Sequence, residues 1–95
     1  MPAAHRLGDP GSGHGCFPPR NNVQGSPNVF VNGIPSHRVG DAWAVHCCPD
    51  NGCHASVMAV GSSTVFVNGK PKARVGDAVA CGSVAVSGSS NVFVG

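Results

Sequence analysis

The sequence predicts an all-β domain of short strands and many turns. Three observations carry that expectation. A Val-Phe-Val segment occurs three times, at 29–31, 65–67 and 92–94. Turn residues punctuate the chain between these segments, with 14 Gly and 8 Pro among 95 residues. No stretch of convincing length places its apolar residues at a helical period.

The strands come first. GSPNVFVNG at 25–33 returns as GSSTVFVNG at 61–69 and as GSSNVFVG at 88–95. Val and Phe favour extended chain, and successive side chains of a strand point to opposite faces. The pairs Val29/Val31, Val65/Val67 and Val92/Val94 therefore share one face, and Phe30, Phe66 and Phe93 the other. Alternation does not decide which face is inside. The three Phe either pack a core or contact a partner. Asn32-Gly33 and Asn68-Gly69 tolerate positive φ and make tight turns. Pro35 and Pro71 follow and keep the residue before them extended.

A second signature precedes each strand: Arg6-Leu7-Gly8-Asp9, Arg38-Val39-Gly40-Asp41 and Arg74-Val75-Gly76-Asp77. Arg and Asp at this spacing pair within a repeat or between neighbouring repeats. The expected role is structural, since buried charges are normally paired. RxGD, a variable loop and GSxxVFV together occupy the whole chain as one domain, 1–95, with repeats at about 1–33, 34–69 and 70–95.

Composition narrows the function classes. Only four Phe and Trp43 are aromatic, so the core is small and calls for a staple or a partner. A net charge of +2 without a basic block argues against nucleic acid. No apolar run of about 18 residues is present, as a membrane-spanning helix needs. MPAAHRLGD lacks a charged-then-apolar signal region, so export by a cleaved signal peptide is not expected. No phosphate-cradling glycine motif is present, Glu is absent, and Asp50 is the one Asp outside the repeat signature. An enzyme with a small-molecule substrate is therefore not expected.

The threefold RxGD and GSxxVFV pattern resembles the PAAR-repeat proteins, along essentially the full chain. The matching segments are Pro35-Ser36-His37-Arg38 and Pro71-Lys72-Ala73-Arg74, each followed by Val-Gly-Asp; Pro2-Ala3-Ala4-His5-Arg6 carries one extra residue. The resemblance implies a small conical domain with a pseudo-threefold base. Such a domain caps a trimeric β-helical spike, one chain per trimer, in type VI secretion systems or contractile phage tails. It touches the target cell envelope transiently as a membrane-piercing tip, at the virion tail tip or secreted on the type VI spike. It also implies a zinc ion near the apex, held by three His and one Cys. No toxin domain is expected beyond the repeats.

Spacing from the repeat Asp offers candidate ligands. His14 lies five residues after Asp9, His46 five after Asp41, and Cys81 four after Asp77. His54, in the longest loop, is the fourth ligand of a closed tetrahedral site. Zinc is expected over iron. An alternative is a local knuckle within 46–54 using Cys48 and Cys53, and Cys16 is a substitute for His14 or a small buried residue beside Phe17. Cys16, Cys47, Cys48 and Cys53 remain outside the cross-repeat set. Cytoplasmic assembly argues for reduced thiols; a Cys47–Cys53 or Cys48–Cys53 disulfide is the other option. His5 and His37 sit beside the repeat Arg and are expected to be structural. The competing reading of the whole chain is a stand-alone zinc-binding or thiol redox module.

Overall fold

The computed structural model describes residues 1–95. It has no helix; eight strands form four two-stranded antiparallel sheets. They are β1 (Pro10–Gly11) with β2 (Arg20–Asn21), β3 (Phe30–Val31) with β4 (Ile34–Pro35), β5 (Ala42–Cys48) with β6 (Gly52–Val57), and β7 (Phe66–Val67) with β8 (Lys70–Pro71). The Asn-Gly turns form as their chemistry requires, with φ of 56° and 76° at Asn32 and Gly33, and 53° and 77° at Asn68 and Gly69.

The third Val-Phe-Val segment forms no hairpin of its own among these strands. It pairs instead with the N-terminus. Val94 N–H donates to Pro2 O at 2.8 Å, and Ala4 N–H donates to Val92 O at 2.9 Å. Three equivalent hairpins thus surround one axis, and the two chain ends build the third.

Backbone bonds then run around that axis. His5 N–H donates to Ala73 O, Ala73 N–H to His37 O, and His37 N–H to His5 O, at 3.2, 3.0 and 3.3 Å. Lys72 Nζ caps the same triangle, donating to the carbonyls of His5, Ala73 and His37 at 2.5, 2.9 and 3.3 Å. The three equivalent positions hold Ala4, Ser36 and Lys72. Only one ammonium fits on the axis, and only one repeat supplies it.

From this base rise three arms: β1–β2, β5–β6, and a short loop bridged between Ala78 and Val84. Bridges Asn22↔Trp43, Met58↔Val79 and Gly11↔Ala85 tie each arm to the next. A Cβ at Gly11 would lie 2.5 Å from the Trp43 ring, so a side chain cannot sit where arm one crosses the core. The molecule measures 39 × 23 × 23 Å, elongated with two equal short axes.

The core is small and divided. Trp43, Met58, Ala73, Val79 and Ala85 fill the arms, and Ala4, Val31 and Val94 pack in the base. Between them the axis is polar, with His5, His37, Lys72 and Asp41 buried. The second Val of each pair faces inward: Val31, Val67 and Val94 are buried, whereas Val29 and Val65 are exposed, and Phe30, Phe66 and Phe93 are 55%, 56% and 51% exposed. The packing alternative for the three Phe therefore does not hold.

Each RxGD turn closes on itself. Arg6–Asp9, Arg38–Asp41 and Arg74–Asp77 pair within their own repeats at 2.9, 2.8 and 2.9 Å. The Asp also accepts the backbone N–H of its Arg in all three copies. These side-chain bonds raise each arginine above its ordinary value.

Candidate metal centre

Each arm delivers at least one ligand to the same place. His14 sits on a tight turn of arm one, where His14 and Phe17 exchange backbone bonds at 3.0 and 2.9 Å. His46 and His54 face each other across β5–β6 in register. Cys81 lies on the turn of arm three, closed by Val79 N–H to Ser83 O at 2.8 Å. One ligand atom from each of His14, His46, His54 and Cys81 falls within 4.8 Å of the other three. The structure thus brings together the three residues singled out by spacing and His54 of the longest loop.

The donor atoms suit a tetrahedral ion. The three Nε2 atoms are 3.1, 3.1 and 2.7 Å apart. Zinc–nitrogen bonds of about 2.0–2.1 Å would separate them by roughly 3.3 Å in a tetrahedron. His46 Nδ1–H donates to Pro18 O at 2.8 Å, which assigns that proton to Nδ1 and turns a lone pair at Nε2 toward the cluster. Phe17 covers the group, its ring centroid 4.9, 5.0 and 4.3 Å from those of His14, His46 and His54.

The Cys81 thiol is set up as a thiolate. Burial raises it, but bonds from the Ser83 backbone and hydroxyl, from Ser56 and from His54 outweigh burial and bring it to about 5. Arg20 adds a charged donor, with Nη2 3.1 Å from Cys81 Sγ and Nη1 2.9 Å from Ser83 Oγ. Its guanidinium carbon lies 4.9 Å from the centroid of the Trp43 ring. Sequence reasoning missed Arg20, whose only signal is that it lies outside the RxGD copies.

The remaining thiols are paired rather than reduced. Cys16 is joined to Cys48 and Cys47 to Cys53. Register makes Cys47 and Cys53 direct partners across β5–β6, and the turn at 14–17 seats Cys16 over Cys48. Cys16 is exposed, not packed beside Phe17. The knuckle within 46–54 is not what forms, because Cys48 and Cys53 belong to different disulfides. Only Cys81 is a free thiol.

His5 and His37 lie away from the cluster, flanking Trp43 at ring separations of 5.3 and 5.5 Å. Their Nδ1 atoms contact Ser87 O and Gln24 O at 2.7 and 2.6 Å. Burial keeps both neutral, lowering His5 and bringing His37 to about 4. Burial also brings the Lys72 ammonium down to about 8.

The fold and site together define a helix-free domain with a threefold base and a His₃Cys group that could bind a metal ion. The family model described as PAAR motif matches residues 18–87, well over half of the chain, and the chain belongs to that family. Among curated proteins, none matches the chain. Membership assigns it in general terms to the spike tips of contractile injection systems, a structural family. No helix is long and apolar enough to cross a membrane.

Proposed function

We propose that this chain is a membrane-piercing tip that caps a trimeric β-helical spike, one chain per trimer, with its apex held by one structural zinc ion. It acts as a single domain of three repeats, at 1–33, 34–69 and 70–95. The observation that carries this reading is the closed backbone triangle of His5, His37 and Ala73, which makes one chain present three equivalent faces. A pseudo-threefold base matches a threefold partner without needing three copies.

The base supports the same reading. An apolar basin of about 430 Å³ is lined by Val29, Val31, Val65, Val67, Val92 and Val94 and includes none of the metal-centre residues. Phe30, Phe66 and Phe93 stand exposed on the same strands, and Phe93 also lines the basin. Exposed apolar groups around one axis suit burial against a blunt apolar end. At the other functional site, His14, His46, His54 and Cys81 would hold the ion. Four protein ligands leave no open position for a substrate, so the ion would serve as a structural tie. The chain works at the tail tip of a phage or the tip of a type VI spike.

The test is to mix the chain with a cognate trimeric spike protein and measure mass by light scattering after size exclusion. A complex of one chain per trimer is expected. Separate elution of the two proteins refutes the capping role. Elemental analysis of the folded chain should find about one zinc per molecule, and a metal-free folded preparation refutes the apical tie.

A further inference from the structure

The tip role leaves the two disulfides without a task, yet both are attached to the elements that carry the histidine ligands. We propose that the Cys16–Cys48 disulfide positions His14 in the metal centre, so that oxidation of this pair sets how firmly the apex retains its ion. The proposal rests on the apical-metal reading above.

His14 is the only ligand supplied by arm one. Its turn is closed on itself by the His14–Phe17 backbone bonds. Three side-chain links join the turn to the β5–β6 hairpin: the Cys16–Cys48 bond, Asn51 Nδ2–H to Cys16 Sγ at 3.3 Å, and His46 Nδ1–H to Pro18 O at 2.8 Å. Only the first is covalent. His46 and His54 need no such tie, because the ladder pairs Cys47 with Cys53 and Cys48 with Gly52 right beside them. Cutting Cys16–Cys48 therefore loosens one ligand relative to two fixed ones. A tethered ligand rebinds at high effective concentration, and an untethered one does not.

Cys47–Cys53 is the natural control. It spans six residues and joins two strands that are already hydrogen-bonded. Both of its cysteines are exposed. Its removal leaves the tie on His14 in place.

The chemistry is thiol–disulfide exchange with a small-molecule disulfide, with oxidised glutathione as the probe. An S–S bond forms between Cys16 and Cys48 and the donor's S–S bond breaks. The donor leaves as two thiols carrying the two electrons and the two protons. Coupling between ion and disulfide is reciprocal. If the disulfide tightens zinc tenfold, zinc shifts the pair by about 30 mV toward the oxidised form.

The experiment uses the full chain, oxidised and loaded with Zn²⁺, and follows metal release to a chromophoric chelator. Wild type is compared with the double variants Cys16→Ser/Cys48→Ser and Cys47→Ser/Cys53→Ser. Serine avoids new thiols that would compete for zinc. Release at least tenfold faster from the first variant, with the second within threefold of wild type, is expected. Equal release from all three overturns the proposal while leaving the apical ion intact. A wild type that binds no zinc overturns both. The second readout does not depend on the variants folding. Wild-type chain is equilibrated in glutathione buffers with and without Zn²⁺, and each pair is scored by thiol trapping and peptide mass. Zinc should make Cys16–Cys48 harder to reduce and leave Cys47–Cys53 unmoved. A zinc-independent Cys16–Cys48 midpoint sinks the idea.

Discussion

The three RxGD turns are one interaction built three times at different depths, so Asp→Asn at each site separates burial from chemistry. Asp41 accepts Arg38 backbone N–H, Nε and Nη2 at 2.9, 2.8 and 2.8 Å. In Asp41→Asn an amide oxygen at the Oδ2 position keeps the first two bonds. The amide NH₂ then faces Nη2, donor against donor, and the guanidinium loses its counter-charge. The side chains of Arg38 and Asp41 are 7% and 0% exposed, so water does not take over. Breaking a buried ion pair from one side costs about 3–5 kcal/mol. The Arg6–Asp9 side chains are 18% and 12% exposed, and those of Arg74–Asp77 are 21% and 9%. Partial hydration there should limit the loss to about 1–2 kcal/mol. For a domain of this size, Asp41→Asn then lowers the thermal midpoint by roughly 12–40 °C, and each of the others by roughly 4–16 °C. The assay is urea unfolding of oxidised, metal-free chain followed by the fluorescence of Trp43, which is 2% exposed. Three equal losses, or an Asp41→Asn no worse than Asp9→Asn, would refute the claim that burial sets the strength of these pairs.

Three further outcomes follow from the same geometry. His37 titrates near 4 in the fold against about 6.5 when unfolded, so between these values the unfolded chain holds a proton that the native chain lacks; stability is full above pH 6.5 and falls by about 3 kcal/mol toward pH 4. In metal-free protein His37→Gln should make that slope shallower, with His5, also lowered by burial, keeping a share of it, and an unchanged slope argues against a buried neutral His37. Cys81→Ser should weaken zinc at least a hundredfold, a floor taken from losses seen when only outer partners of a ligand are removed, while the far-ultraviolet dichroism of the strands stays put; undiminished affinity by competition titration would remove Cys81 from the centre. Lys72→Met keeps the stem but deletes three charge-assisted bonds; each carbonyl retains one backbone donor, so a loss of about 1–3 kcal/mol in denaturant unfolding is expected, and none at all would mean that the axial ammonium contributes nothing.

Local chemistry was readable residue by residue. Asn32-Gly33 and Asn68-Gly69 adopt the positive φ their side chains permit. Each Arg pairs with the Asp three residues on, because Gly lets the turn close within that distance. The ligand set was readable through register: offsets of five, five and four residues from equivalent turns deliver His14, His46 and Cys81 to one place. Disulfide partners were only half readable. Cys47 and Cys53 flank a turn that can pair them, whereas nothing near Cys16 in the chain points to Cys48. Arg20 and Lys72 were not legible at all, because their partners come from other repeats: Cys81 and Ser83 for the first, His5 and His37 for the second.

The sequence by itself determined a helix-free chain of three like units, where each turn lies, and that Val and Phe occupy opposite faces of every strand. Those are properties of a few adjacent residues and their backbone preferences. Only the tertiary structure decided that Val31, Val67 and Val94 look inward, that residues 2–4 complete the third hairpin, that a single Lys72 caps the axis, and that four cysteines pair around the metal centre. Each of those depends on groups from different thirds of the chain meeting at one axis. Local propensity does not encode that meeting, because it exists only once the ring has closed.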